Sequence, residues 1–227
     1  MKVTGTGPFG VNTLTVPLCD GYVFIVDPAC CEYCGDEDVI TDWLKDNSLI
    51  PAAVILTHGH FDHVAGLKSL RKSYPDIPVL IHREDSDMIG PDSRILQSKD
   101  LSLMGFFDFI PSVSDLPAAN GFLEDGKTPA DSFNFNLPEM VIASVAEWKV
   151  IHTPGHTKGS VCLYNDRQKI LISGDTLFYM SWGRTDLTGG SETEMRSSLR
   201  HLRECISPDA LVYPGHDRFA FKMSENY

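Results

Sequence analysis

The hydrophobic positions of this chain switch between two periods. Residues 12–16 and 22–26 are short β-branched and aromatic runs, the second ending at Asp27-Pro28, and they read as strand, turn, strand. Over residues 38–45 the period lengthens, and Val39, Ile40, Trp43 and Leu44 share one face of a predicted helix. Residues 52–56 are a compact apolar run, the pattern of a buried strand. A helix carrying Leu67 and Leu70 follows over 65–73, then a strand over 78–81. The second part repeats the alternation. Residues 140–145 and 148–151 are predicted strands, and 161–164 and 170–172 form a hairpin around Asn165-Asp166-Arg167. Ser191 and Glu194 have the spacing of a capping box. The helix it opens puts Met195, Leu199, Leu202 and Ile206 on one apolar stripe. Residues 210–213 are predicted as the last strand.

Strands alternating with helices in both parts predict an α/β fold, with sheets covered by helices. The 227 residues contain no repeat and no linker, so the expectation is one domain over 1–227. The exception to the pattern is an irregular insertion at about 100–138, with Phe106, Phe107 and Phe109 near its start and a Gly-, Asp- and Pro-rich stretch after them. Such a segment reads either as a lid or binding element or as a core helix plus a surface loop. Its phenylalanines would line the mouth of a site or bury themselves in a homodimer contact.

Composition narrows the function. Apolar residues make up 42% and charged residues 22%, the balance of a soluble globule. The charge sum, 19 minus 31, is −12, which argues against nucleic-acid partners and a polybasic membrane anchor. No apolar run approaches the roughly 18 residues of a transmembrane helix. The first eight residues lack the apolar centre of a signal peptide, so the expected localisation is cytoplasmic. In that setting the six cysteines are expected to be reduced. Cys31 and Cys34 match half of a zinc ribbon or a redox dithiol, but no second CxxC completes four ligands. With Cys30 they read as thiols crowded in a loop.

The chemistry is carried by histidines. His58, His60, Asp62 and His63 lie within six residues, directly after the 52–56 strand. Residues two apart at a strand end point the same way, so His58 and His60 can share one metal ion. Asp62 and His63, on the first turn of the following helix, can address a second. Further candidates follow other strands, each directly after a glycine: His156 after Gly155, Asp175 after Gly174 and His216 after Gly215. Imidazole and carboxylate suit zinc and iron, and convergent strand ends in a layered α/β fold are where active sites are built. His82 and His201 lack this context, and His152 reads as a strand residue beside the site.

The segments VNTLTV, IVDPA, THGHFDH, HTPGHTKGS, ISGDTLF, GRTDLTGGS and YPGHD together resemble the metallo-β-lactamase fold superfamily, and within it the short, single-domain glyoxalase II-like hydrolases. The resemblance runs from about residue 12 to residue 216. It implies a four-layer αββα sandwich with two divalent metal ions at one edge, zinc in the first instance, with iron or manganese as substitutes. It implies that His58, His60 and His156 hold one ion, that Asp62, His63 and His216 hold the other, and that Asp175 bridges them. Asp27 would anchor the site from behind, although the glycine of the family's DPG turn is Ala29 here.

The implied reaction is hydrolysis of a small-molecule thioester by a hydroxide shared between the ions, with Asp62 as the catalytic carboxylate that orients the nucleophile. A bridging Asp175 argues against a true β-lactamase. Two features depart from glyoxalase II proper. The basic C-terminal extension that serves glutathione there has no counterpart in the 11 residues after His216, and a tyrosine expected just past that histidine is replaced by Arg218. Arg184 stands where a glutathione-contacting lysine is expected and is a candidate substrate-binding residue; its competing reading is an ion pair with Asp186. The alternative reaction, an iron-dependent persulfide dioxygenase, shares the same ligands.

Overall fold

A computed structural model describes residues 1–226 and contains two principal sheets. The first has six strands in the order β1 (Lys2–Thr6), β2 (Val11–Pro17), β3 (Tyr22–Val26), β4 (Ile50–Ile55), β5 (Val79–His82) and β6 (Gly121–Leu123). β1, β2 and β3 pair antiparallel; β3 through β6 run parallel. The parallel connections carry α1 (Val39–Asp46), then α2 (Phe61–Val64) and α3 (Leu67–Ser73), then α4 (Ser93–Met104). α5 (Glu139–Val145) leads into the second part, where β7 (Lys149–His152), β8 (Val161–Asn165) and β9 (Ile170–Gly174) form an antiparallel meander. A small ribbon of β10 (Leu177–Phe178) and β11 (Ser181–Trp182) precedes α6 (Glu192–Cys205), after which β12 (Leu211–Pro214) returns parallel to β9 and β13 (Phe221–Lys222) closes the edge.

The period-2 patterning explains the layers. In β3, Val23 and Ile25 face one apolar cluster while Phe24 and Val26 face another. The first cluster joins the outer face of the first sheet to Ile40 and Leu44 of α1 and to Leu67 and Leu70 of α3. The second lies between the sheets, where Phe24 and Ile55 meet Trp148, Val150, Leu163 and Ile172. A third packs Cys162, Leu171 and Val212 of the second sheet against Leu202 of α6. The result is the αββα sandwich. Each central strand is buried on both faces, which is why its sequence reads as a continuous apolar run rather than an alternation.

Two expectations need correction. Residues 140–145 are not a strand but lie within α5, which starts directly after Pro138 and buries Val141 and Val145 one helical turn apart. A short apolar run carries no decisive period, and a run of six apolar or small residues fits a helix as well as a strand. β12 is not the last strand, because the two-residue β13 follows it, and the edge strand β1 has no clear pattern in KVTGT. The segment 100–138 holds the end of α4, a 3-10 turn at Phe107–Val113, the edge strand β6 and a second 3-10 turn at Pro129–Asp131. Within it Phe109 is fully buried, whereas Phe107 is exposed. No helix among the described residues is long and apolar enough to cross a membrane.

Candidate metal centre

The ends of β4, β7, β9 and β12 meet at one edge of the sandwich, and each delivers side chains there. After β4 the chain turns at Thr57-His58-Gly59 into α2, with His60 as its extended N-cap and Asp62 and His63 in its first turn. His156 stands on the loop between β7 and β8, Asp175 directly after β9, and His216 shortly after β12. The glycines before these residues serve different needs. Gly174 takes a left-handed conformation, with φ of 48°. Gly215 is needed for room, since a Cβ there would overlap Asp175 Oδ1 and His63 Cε1.

All seven candidate residues converge. His58, His60 and His156 form one set of ligand atoms lying within 4.8 Å of one another, and Asp62, His63 and His216 form a second. His60 Nδ1 is 2.7 Å from His156 Nε2, and His63 Nε2 is 3.2 Å from His216 Nε2. Asp175 spans the sets: its Oδ2 is 3.5 Å from His156 Nε2 and from His216 Nε2, and its Oδ1 is 3.4 Å from His63 Nε2. Asp62 Oδ2 sits 3.3 Å from His216 Nε2.

The outer nitrogens fix the tautomers. His63 Nδ1 is 3.0 Å from Asp27 Oδ2, His156 Nδ1 is 2.7 Å from the Arg184 carbonyl, and His216 Nδ1 is 3.2 Å from the Phe9 carbonyl. Each of these partners only accepts, so each Nδ1 carries the hydrogen and each Nε2 turns a lone pair inward. The hydroxyl of Thr57 donates to Asp27 Oδ2 at 2.6 Å, so at 3.0 Å it accepts from His58 Nδ1, which leaves His58 Nε2 a lone pair as well. His58 Nε2 and Asp175 Oδ1 are buried with no hydrogen-bond partner. The lone pairs of His63 and His216 face each other across 3.2 Å, an arrangement that requires a proton or a cation between them. Buried, partnerless acceptors among two inward carboxylates fit divalent cations, and the N/O donor set suits zinc or iron.

The inward carboxylates and imidazoles also set one another's charge. Burial pushes the Asp175 carboxyl up, but the nearby His63, His156 and His216 outweigh it and hold it well below the carboxylate range. Burial likewise opposes ionisation of Asp62, and His63 and His216 reverse it. Burial would lower His63, yet Asp175, Asp62 and Asp27 raise it well above its usual value. His58 and His60, with fewer carboxylates beside them, are held neutral by burial and by neighbouring histidines, His60 down to about 3.

Behind these seven side chains lies a layer of which sequence reasoning found only part. Asp27, on a left-handed turn with φ of 49°, accepts from the Thr57 amide and hydroxyl as well as from His63. Asp85 was not foreseen. Its buried carboxylate accepts from the Gly59 amide at 3.0 Å, the Thr157 hydroxyl at 2.6 Å and the Gly159 amide at 2.7 Å. It thereby ties the loop of His58 and His60 to the loop of His156. Gln97 of α4 adds a bond to the Gly59 carbonyl at 2.6 Å. Nothing in the sequence around Asp85 or Gln97 marks them, because the partners that tie them to the site are 26 to 74 residues away.

The centre opens into a cavity of about 370 Å³ whose walls include Phe9, Phe61, Met104, Phe178, Arg184 and Leu187. Arg184 reaches this mouth, but its guanidinium forks onto Asp186 at 2.7 and 2.8 Å. Phe106 packs edge-on against Phe9 at 4.9 Å. His82 and His152 stack on each other at 4.2 Å, with His152 Nε2 held by the Lys158 carbonyl, and His201 is exposed on α6.

The profile of the metallo-beta-lactamase superfamily matches residues 20–216. The chain is 30% identical to a probable metallo-hydrolase, YqgX, of Bacillus subtilis, over 92% of this chain and 86% of that protein. It is also 30% identical to a hydroxyacylglutathione hydrolase of Pectobacterium carotovorum, over 89% of this chain but only 64% of that protein. Among solved structures, BLEG-1 B3 metallo-beta-lactamase superimposes with a TM-score of 0.79 at 28% identity, covering 99% of this chain and 94% of that one. TTHA1623, in a di-iron-bound form, superimposes with a TM-score of 0.72 at 26% identity, covering 99% and 96%.

Proposed function

The chain belongs to the metallo-β-lactamase superfamily, and on that premise we propose that it is a dinuclear metallohydrolase of small acyl thioesters, glyoxalase II-like in its chemistry. The observation that carries this reading is the position of Asp175, whose carboxylate reaches the Nε2 atoms of His156 and of His63 and His216 at 3.4–3.5 Å. One carboxylate placed between two donor sets favours a pair of ions. His58, His60 and His156 would hold one and Asp62, His63 and His216 the other, zinc being the first expectation and iron the substitute. Bound there, the ions would supply Lewis acidity, lowering the pKa of water to about 7 and polarising a carbonyl.

The protein's own groups do the rest. Asp62 Oδ2 orients the attacking water and takes its proton. Asp27, Thr57, the Arg184 carbonyl and the Phe9 carbonyl fix the imidazole tautomers, so no reorganisation is needed during turnover. Phe9, Phe61 and Leu187 exclude water from the acyl group. The leaving thiolate needs little assistance, because a thiol of pKa near 8.5 is already a good leaving group. Arg184 stands at the mouth as the cation for an anionic thiol carrier, exchanging its fork on Asp186 for the substrate.

The test is an assay of metal-loaded protein against lactoylglutathione, a simple acyl thioester, a β-lactam, and glutathione persulfide with oxygen. Thioester cleavage with two ions per centre is the expected result. Oxygen consumption on the persulfide with a single iron establishes the dioxygenase alternative instead, and turnover of the β-lactam alone contradicts both.

A further inference from the structure

We propose that Cys31, Cys34 and Asp36 form a second, thiophilic metal site that holds one zinc-like cation and shares no residue with the histidine–aspartate centre. Sequence spacing supplies only half of a ribbon, but the fold adds a carboxylate. The two sulfurs and an Asp36 oxygen all lie within 4.8 Å of one another. They are gathered by a tight knuckle. The Cys34 amide donates to the Cys31 carbonyl at 3.0 Å, the Gly35 amide to the Glu32 carbonyl at 3.1 Å, and the Asp36 amide returns to the Cys31 carbonyl at 3.4 Å. Gly35, with φ of 67°, makes the left-handed turn that brings Asp36 back beside Cys31.

Asp36 is held in place. Its Oδ1 accepts from the Cys31 amide at 2.7 Å and its Oδ2 from the Gly7 amide at 2.8 Å, and each oxygen keeps a further lone pair. Outer hydrogen bonds of this kind are what orient a ligating carboxylate. Cys31 also lines a cavity of about 600 Å³ together with Glu37, whose Oε2 is buried without a partner, and with Lys68. Three protein donors with sulfur among them are a zinc-type set, and exposed Cys34 leaves a fourth position for water.

A divalent ion would bind the sulfurs as thiolates, and its binding would release the two thiol protons to solvent. The ion would close the loop between β3 and α1. That loop also carries Tyr33, whose ring meets Phe109 at 5.4 Å.

Cobalt loading tests this, because a thiolate-to-cobalt charge-transfer band in the near ultraviolet reports sulfur ligation and the histidine–aspartate centre contains no sulfur. The full chain is expected to bind about three equivalents in all, one of them bearing the band, and zinc is expected to displace it and protect Cys34 from alkylation. Cys34→Ser, an exposed position that keeps the fold, is expected to lose about one equivalent of bound metal and at least half of the band. Its hydrolytic rate should stay unchanged. A loaded histidine–aspartate centre with no thiolate band overturns the proposal. So does a Cys34→Ser variant with undiminished metal and band, or a Cys31–Cys34 disulfide recovered from protein kept under reductant.

Discussion

At the scale of single residues, the account turns on carboxylates that do different work at similar depth. Asp175 touches both donor sets, so Asp175→Ala is expected to cost at least one ion per centre and to lower turnover by about 10³-fold or more, the size of effect seen when a key electrostatic group is removed. Asp62→Ala should lower kcat with less loss of metal. Asp85 touches no ligand ring. Asp85→Ala strands two buried amides and leaves the Thr157 hydroxyl only Ser160, so a loss of about 2–5 kcal/mol in urea unfolding is expected, with metal affinity weakened about 10- to 100-fold. Arg184 is half-exposed and already paired, and Arg184→Ala should raise KM for an anionic thioester by about fivefold, the worth of about 1 kcal/mol, with kcat little changed. The seven inward-facing residues were legible in the sequence because all lie shortly after strands and four directly follow a glycine. Asp85 and Gln97 were not, since a buried carboxylate or amide in a polar stretch looks like any surface residue until its distant partners are known.

At the scale of elements, the strands were legible wherever both faces are buried, as in β3 and β4, because every position there must be apolar. The same logic misled at residues 140–145, where MVIASV has a strand's composition inside the helix α5. The two assignments differ at Ala143. A strand that buries Val141 and Val145 buries Ala143 with them, whereas α5 leaves it exposed. Ala143→Lys is therefore expected to change stability by no more than about 0.5 kcal/mol in denaturant unfolding. Phe24 tests the sandwich itself. It is fully buried between the sheets and meets Trp148 at 6.3 Å, so Phe24→Ala should cost about 3–5 kcal/mol. β1 and β13 escaped sequence reading for the opposite reason: edge strands of five and two residues, partly exposed, need no apolar pattern.

At the scale of the whole molecule, two sheets that each bury one face on the other bring four strand ends to one rim, so metal binding there is expected to be coupled to that assembly. Ions at about 1,000 times their dissociation constant contribute about 4 kcal/mol. Chelation should then lower Tm by about 8–16 °C for a chain of this size, reversed by adding metal back. The net charge of −12 leaves the rim's few cations, Arg184 among them, to attract an anionic substrate, so raising ionic strength should raise KM more than it changes kcat. The most direct measurement is an anomalous difference map from crystals of protein grown with zinc or iron, collected at the absorption edge of the metal. One peak is expected among His58, His60 and His156 and another among Asp62, His63 and His216, with Asp175 between them. A rim without a peak in metal-replete protein, its seven side chains paired only with one another, would contradict this expectation.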